Sequence, residues 1–110
     1  MQKEKTSRPQ HLAITLYASL VFVYVIVRAI LLSITYDEAW SIETYVGGSF
    51  WNIITFEPCD SNNHLLNSVL IKLLYSVLPN TLFVARIPSV LSCGVFLFFS
   101  AKLSKLYTPN

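Results

Sequence analysis

Two adjacent carboxylates, Asp37 and Glu38, follow directly after a long apolar segment, in the sequence TYDEAWSIETY that begins at Thr35. A carboxylate held in a fixed direction at a membrane surface could act as a general base, because it can accept a proton from a substrate hydroxyl at about 3 Å. Consecutive positions on a helix diverge by about 100°. We therefore expect the two carboxylates to meet different partners rather than to share one proton.

The same residues also fit a structural interpretation. Thr35 and Glu38 have the spacing of a capping box, in which the threonine oxygen accepts from an amide of the first helical turn and the glutamate accepts from the threonine amide. Asp37 would then lie in the first turn, where the helix dipole favours a negative charge by about 0.3–1 kcal/mol. The two interpretations are compatible, and the sequence leaves both open.

The composition is that of an integral membrane protein. Of the 110 residues, 54% are hydrophobic and only 13% are charged, against about 25% charged in soluble domains. The charges are segregated: Lys3 and Lys5 precede the first apolar stretch, and no Lys or Arg occurs between residues 36 and 62. Since no basic patch is present, nucleic acid is not expected as a partner, whereas the lipid bilayer is.

The order of apolar and polar segments predicts an all-α integral membrane protein with about three transmembrane helices and an outer loop of short interfacial helices. We expect a cytoplasmic basic tail over 1–11, a first span over 12–34, an external acidic loop over 35–61, a second span over 62–78 and a third over 81–106. Arg86 would then mark the cytoplasmic interface. Lys102 and Lys105 would lie outside, against the usual retention of basic residues in the cytoplasm. The bacterial-looking sequence NNHLLN at the start of the second segment favours a bacterial inner (plasma) membrane as the location.

Three motifs mark the starts of successive segments: YDEAWS follows the first span, NNHLLNSVL begins the second and ARIPSVL begins the third. In this order they resemble the N-terminal part of the GT-C glycosyltransferases, and more narrowly the branch that includes the protein O-mannosyltransferases and the lipid A aminoarabinose transferases. The third is similar to the Arg-Leu-Pro-Ser of that family. The second departs from the family's Lys- or His-Pro-Pro-Leu, because Leu65 and Leu66 stand where the prolines would be.

The resemblance implies an N-terminal fragment of a GT-C fold that moves a sugar from a polyprenyl-phosphate donor, with inversion, on the outer face of the membrane. It assigns Asp37 as the catalytic base and Glu38 as the second acid, which positions the acceptor or a donor group. His64 and Asn63 become candidates for binding the donor phosphate. Alternatively, Asn62 or Asn63 caps a helix and His64 rests at the interface. Some members bind a divalent metal, but no ligand set is identifiable here, so no metal is assigned and the cofactor remains unknown.

Two other functions fit the same sequence: a small non-catalytic multi-span membrane subunit, or a truncated gene product. The second apolar segment carries polar groups on one side, at His64, Asn67, Lys72 and Tyr75. Such a side needs protein or water against it. The expected partners are therefore a polyprenyl-phosphate sugar and the remaining helices of a longer chain or a partner subunit. These 110 residues alone are expected to be inactive.

The topology can be tested with an introduced cysteine. In Ser49→Cys, the new thiol should react with a membrane-impermeant maleimide in intact cells, or in spheroplasts where an outer membrane intervenes, because Ser49 lies in the predicted external loop. Protection of this position together with labelling near Ser7 would contradict the assignment.

Overall fold

In the computed structural model, which describes residues 8–107, every regular element is helical. The elements are α1 (Arg8–Leu31), α2 (Tyr36–Ser41), a π-helical turn (Ile42–Val46), α3 (Phe50–Thr55), α4 (Leu65–Tyr75) and α5 (Leu82–Tyr107). No strand occurs within the described range. The predicted all-α class is confirmed. Residues 1–7 of the predicted cytoplasmic tail lie outside the described residues.

Two helices are long and apolar enough to cross a membrane. They cover Pro9–Leu31 and Leu82–Tyr107, and the 18-residue windows within them that define these candidate spans have mean hydropathies of 2.2 and 2.0. At 1.5 Å per residue they extend about 35 and 39 Å, which exceeds a hydrocarbon core of about 30 Å. Large apolar side chains are exposed along both helices, among them Leu16, Leu20, Val23, Leu91, Val95 and Phe99. Such exposure is expected of helices that face lipid.

The predicted second span, over residues 62–78, contains a shorter helix. Helix α4 has 11 residues, which corresponds to about 16 Å, or half of the hydrocarbon core. Asn62 does not join it, because its amide donates to the Asp60 carboxylate at 2.9 Å in a local turn. Among the described residues, two helices rather than three therefore reach spanning length. The predicted number of three spans is not confirmed, because the segment predicted as the second span forms only the short helix α4. The predicted third span, over 81–106, corresponds to α5.

The chain divides into two compact units. The first contains residues 8–28 and 90–107 of the described chain. In it, Lys105 Nζ donates to Thr15 Oγ1 at 2.7 Å, and Gly94 lies against the ring of Phe22. Residue numbers therefore rise along α1 as they fall along α5, so the two segments are antiparallel. A side-chain Cβ at Gly94 would meet the Phe22 ring at 3.0 Å, and a glycine here permits the close approach typical of helix pairs in membranes.

The second unit, residues 29–89, holds the short helices. Helix α2 runs into the π-helical turn, which ends where the Gly47 amide donates to Ile42 O at 2.8 Å. A Cβ at Gly47 would lie 2.8 Å from Glu43 O, so only glycine fits without a shift. Lys72 Nζ, from α4, donates to Val46 O at 2.7 Å and also to Gly48 O. The lysine thereby pairs carbonyls at the end of the turn that the helix itself leaves unpaired.

A small apolar cluster connects three elements of this second unit. It consists of Val46 from the π-helical turn, Ile71 from α4 and Ala85 from α5, with Ile42 and Tyr75 packed around them. Burying these side chains fixes the beginning of α5 against α4 and the turn. The cluster thereby holds these three elements of the second unit together.

The close contact at Gly94 gives a test of the helix pair. Gly94→Val should lower the free energy of unfolding by about 1–3 kcal/mol, because the added side chain overpacks the contact with Phe22. Thermal unfolding in detergent, followed by circular dichroism, measures the effect. Ser100→Val, at an exposed position of the same helix, is the matched control and should melt like the wild type. Equal melting of the two variants would show that α1 and α5 do not pack through Gly94.

Candidate functional site

A cleft in the second unit brings together residues from all three sequence motifs. Its volume is about 230 Å³, and its polar lining includes Asp37, Glu38, His64, Asn67, Arg86 and Ser89. Each motif contributes two of these six residues. Within the second and third motifs the two contributors are three positions apart, a spacing that places side chains on one helical face. The cleft is therefore built where α2, the start of α4 and the start of α5 meet.

Arg86 is the most completely bonded side chain at the cleft. It is buried, with 8% of its surface exposed. Its Nε and Nη2 donate to the two carboxylate oxygens of Glu38, at 2.8 and 2.7 Å. The three remaining N–H groups donate to backbone carbonyls, at Ala29 O (2.9 Å), Leu32 O (2.8 Å) and Ser33 O (3.0 Å). A guanidinium has five donors, so every one of them is paired inside the protein.

These contacts give Arg86 a role at the cleft, whereas the sequence alone predicts only that it marks the cytoplasmic interface. The three carbonyls belong to the C-terminal end of α1 and the residues just after it, where a helix leaves acceptors unpaired and its dipole favours a cation. Arg86 therefore closes the end of α1 and holds Glu38 at the same time. The sequence carried a weak signal of this arrangement, since an arginine near an apolar segment needs a partner, but its partner lies 48 residues away.

Glu38 also forms the predicted capping box, which is confirmed. Its amide donates to Thr35 Oγ1 at 3.3 Å, and its Oε2 accepts from the Thr35 amide at 3.0 Å. The hydrogen bonds from Arg86 lower the pKa of Glu38 from 4.5 to about 2, against the opposing effect of partial burial. Glu38 is thus a charged residue whose oxygens are occupied by Arg86 and Thr35.

Asp37 has a different environment, as the divergence of neighbouring helical positions predicts. It is exposed, and its Oδ1 accepts one long hydrogen bond of 3.4 Å from Asn62 Nδ2. Asn62 is itself held in place, because its carbonyl accepts from Ser41 Oγ at 3.0 Å. Of the two carboxylates, Asp37 is therefore the one presented to a molecule in the cleft.

The two residues proposed for phosphate binding differ in position. His64 is exposed and lines the cleft. Asn63 is buried and does not line it: its Nδ2 donates to Ile53 O at 3.0 Å, and its Oδ1 accepts from Ser68 Oγ at 3.3 Å. The structure thus gives Asn63 a role in joining α3 to α4. It also shows that neither Asn62 nor Asn63 caps α4, because the N-cap residue is His64, with no side-chain cap bond.

Ser41 and Ser89 are additional polar residues of the cleft that the sequence reasoning did not select. Ser89 follows Arg86 by three positions in ARIPS, so its place on the same face could have been read from that spacing. Among residues 8–107, no group of three or more His, Cys, Asp or Glu side chains is arranged to hold a metal ion. We therefore assign no metal ligands.

Comparison with known proteins does not place the chain in a family. No family model matches it, and neither curated proteins nor solved structures gave a match. The functional interpretation accordingly rests on the residues of the cleft and on the resemblance of the three motifs.

The ion pair gives a pH-dependent prediction. Because the pKa of Glu38 is lowered by folding, its contribution to stability is present above about pH 4.5 and is lost as the pH falls towards 2. We expect roughly 1–2 kcal/mol, after allowance for the third of the side chain that remains exposed. Glu38→Gln should therefore melt at lower temperature than the wild type at pH 7, and the two should converge near pH 2.

Glu43→Gln is the matched control for this measurement. Glu43 is an exposed carboxylate of the π-helical turn, so its loss should leave both the melting temperature and its pH dependence close to those of the wild type. Parallel melting curves of Glu38→Gln and the wild type from pH 7 to pH 2 would contradict the stabilising role of the ion pair.

Proposed function

We propose that the chain is the N-terminal portion of an inverting membrane glycosyltransferase, which moves a sugar from a polyprenyl-phosphate donor to an acceptor on the outer face of the membrane. The observation that carries the proposal is the convergence of the three family-like motifs on one cleft. YDEAWS supplies Asp37, NNHLLNSVL supplies His64, and ARIPSVL supplies the arginine that fixes Glu38. These segments are far apart in the sequence, so a shared cleft supports a shared function.

The proposed orientation has a cytoplasmic N-terminus in a bacterial inner membrane, with two spans rather than three. The antiparallel pairing of α1 with α5 supports it, because the chain between two antiparallel spans leaves and re-enters the membrane on the same side. Lys102 and Lys105 then lie on the cytoplasmic side with the basic N-terminal residues, in agreement with the positive-inside rule. The conflict that a three-span arrangement creates for these lysines disappears.

In the proposed reaction Asp37 is the general base. The oxygen of the acceptor hydroxyl attacks the anomeric carbon while its proton passes to the Asp37 carboxylate. The bond between the anomeric carbon and the phosphate oxygen breaks on the opposite face, and polyprenyl phosphate leaves with the electron pair. The result is inversion at the anomeric carbon.

The neighbouring residues take supporting roles in this proposal. Glu38 is a positioning residue, because the Thr35 cap and the Arg86 ion pair fix the start of α2 and with it the direction of Asp37. Arg86 has no N–H donor left for a phosphate. His64, exposed at the cleft, is therefore the group proposed to donate to the donor phosphate.

The size of the cleft supports the proposal that this chain is only part of the enzyme. Its volume of about 230 Å³ is below the roughly 300–1,000 Å³ of small-molecule sites. A lipid-linked sugar also has to be shielded from water during transfer. We propose that further helices, from a longer chain or a partner subunit, complete the site, and that the isolated chain does not catalyse transfer.

A non-catalytic membrane subunit is the alternative function. It is favoured by one observation, the complete use of Glu38 and Arg86 in holding the fold. In that case polar groups of a partner protein would bind in the cleft. Asp37 would then only stabilise the first turn of α2 and would take no part in catalysis. A truncated gene product would retain the same fold without activity.

Asp37→Asn distinguishes these functions when the variant is expressed from its own locus, so that any further segments or subunits are present. Sugar transfer from polyprenyl-phosphate donors, measured in isolated membranes, should fall by about 10²–10⁴-fold, because the base is lost while the amide keeps a similar shape. Glu57→Gln, another exposed carboxylate of the second unit, is the control and should retain activity. Near-normal transfer by well-expressed Asp37→Asn protein would exclude the base assignment.

A further inference from the structure

A second cavity lies in the first unit, along the antiparallel pair formed by α1 and α5. It is a groove of about 410 Å³. Its walls are mainly apolar or small side chains, including Ala18, Phe22, Gly94, Leu97 and Ala101, and one end carries Lys102 and Lys105. We propose that this groove binds one anionic phospholipid, with an acyl chain along the helices and the phosphate at the two lysines. The proposal rests on the membrane orientation proposed above, and it does not depend on the glycosyltransferase assignment.

The length of the groove matches one leaflet of a bilayer. Lys105 and Gly94 lie 11 positions apart on α5, which corresponds to about 16 Å along the helix axis. Half of a hydrocarbon core of about 30 Å is 15 Å. Gly94 also stands at the middle of the 26-residue helix, so the groove runs from the membrane surface to the bilayer centre and ends there.

The charged end of the groove has the chemistry of a headgroup site. Lys102 and Lys105 are three positions apart and so lie on the same side of α5. Lys105 Nζ donates to Thr15 Oγ1 at 2.7 Å, which fixes one ammonium at the mouth of the groove and uses one of its three donors. Basic pockets between membrane helices on the cytoplasmic side are suited to anionic lipid headgroups. The proposed orientation of α5 places these lysines on that side.

A phospholipid fits this shape better than a further transmembrane helix does. A partner helix would need an apolar seam along the whole length of the pair. Here the groove closes where Gly94 meets the ring of Phe22, and its other end is cationic. A phospholipid has one anionic end, which matches the two lysines, and an apolar body the length of one leaflet, which matches the distance from the lysines to Gly94.

The test is native mass spectrometry of the full 110-residue chain, released from micelles that contain equal amounts of phosphatidylglycerol and phosphatidylcholine. The wild type should retain phosphatidylglycerol about 10–30-fold more than phosphatidylcholine, as two lysines near a phosphate predict. Lys102→Gln/Lys105→Gln should lower this preference to about one. Equal retention of both lipids by the wild type would overturn the proposal.

Two further variants distinguish lipid binding in the groove from non-specific electrostatic attraction between the protein and anionic lipid. Lys3→Gln/Lys5→Gln removes the same charge from the N-terminal segment and should keep the preference; an equal loss there would overturn the site. Ala101→Leu keeps both lysines and fills the groove, and should lower phosphatidylglycerol retention at least tenfold while the circular dichroism melting curve stays that of the wild type. Unchanged retention in this variant would also overturn it.

Two alternative occupants are resolved in the same experiments. Inorganic phosphate at millimolar concentration should not displace phosphatidylglycerol, since it lacks the apolar body; displacement would indicate a free-phosphate site and contradict the proposal. A protein dimer that persists with bound lipid absent, and that Ala101→Leu dissociates, would show that a second copy of the chain occupies the groove instead.

Discussion

The guanidinium of Arg86 is the interaction on which the second unit depends. A buried cation is costly unless it is paired and hydrogen-bonded, and here all five donors are used by Glu38 and by three carbonyls near the end of α1. Removal of Glu38 would leave this cation uncompensated, at the cost of roughly 1–2 kcal/mol expected for a carboxylate whose side chain is one third exposed. The position of α2, the end of α1 and the start of α5 are therefore specified together.

The geometry of the cleft depends on this arrangement. Glu38 takes part in both the capping box and the ion pair, so the backbone of the first turn of α2 has little conformational freedom. Asp37, the preceding residue, is consequently held in one direction while its carboxylate stays exposed. A general base requires this combination of a fixed backbone and an accessible oxygen. The structural and catalytic interpretations of the two carboxylates thus complement one another, with Glu38 serving the first and Asp37 proposed for the second.

Features set by short-range rules could be predicted from the sequence. The Thr35–Glu38 cap depends on a spacing of three residues, and the all-helical class follows from two long apolar segments. Contacts between distant residues could not be predicted. Nothing near Arg86 in the chain identifies Glu38 as its partner. The apolar content of residues 62–78 predicted a transmembrane span. Asn62 instead forms a turn with Asp60, and the helix begins only at Leu65. Asn63 is polar and next to His64, but its side-chain amide is hydrogen-bonded to the Ile53 carbonyl and the Ser68 hydroxyl and does not reach the cleft.

The use of Arg86 to close α1 has a consequence for biosynthesis. Arg86 is synthesised 48 residues after Glu38. At common elongation rates the ribosome needs roughly 2–10 s to add these residues. Throughout that time the carbonyls of Ala29, Leu32 and Ser33 lack their final donor. If the first helix crosses a membrane, lipid cannot supply one, and water at the membrane surface is the remaining donor. The end of the helix would then stay hydrated at the interface until the beginning of α5 arrives and the guanidinium replaces the water.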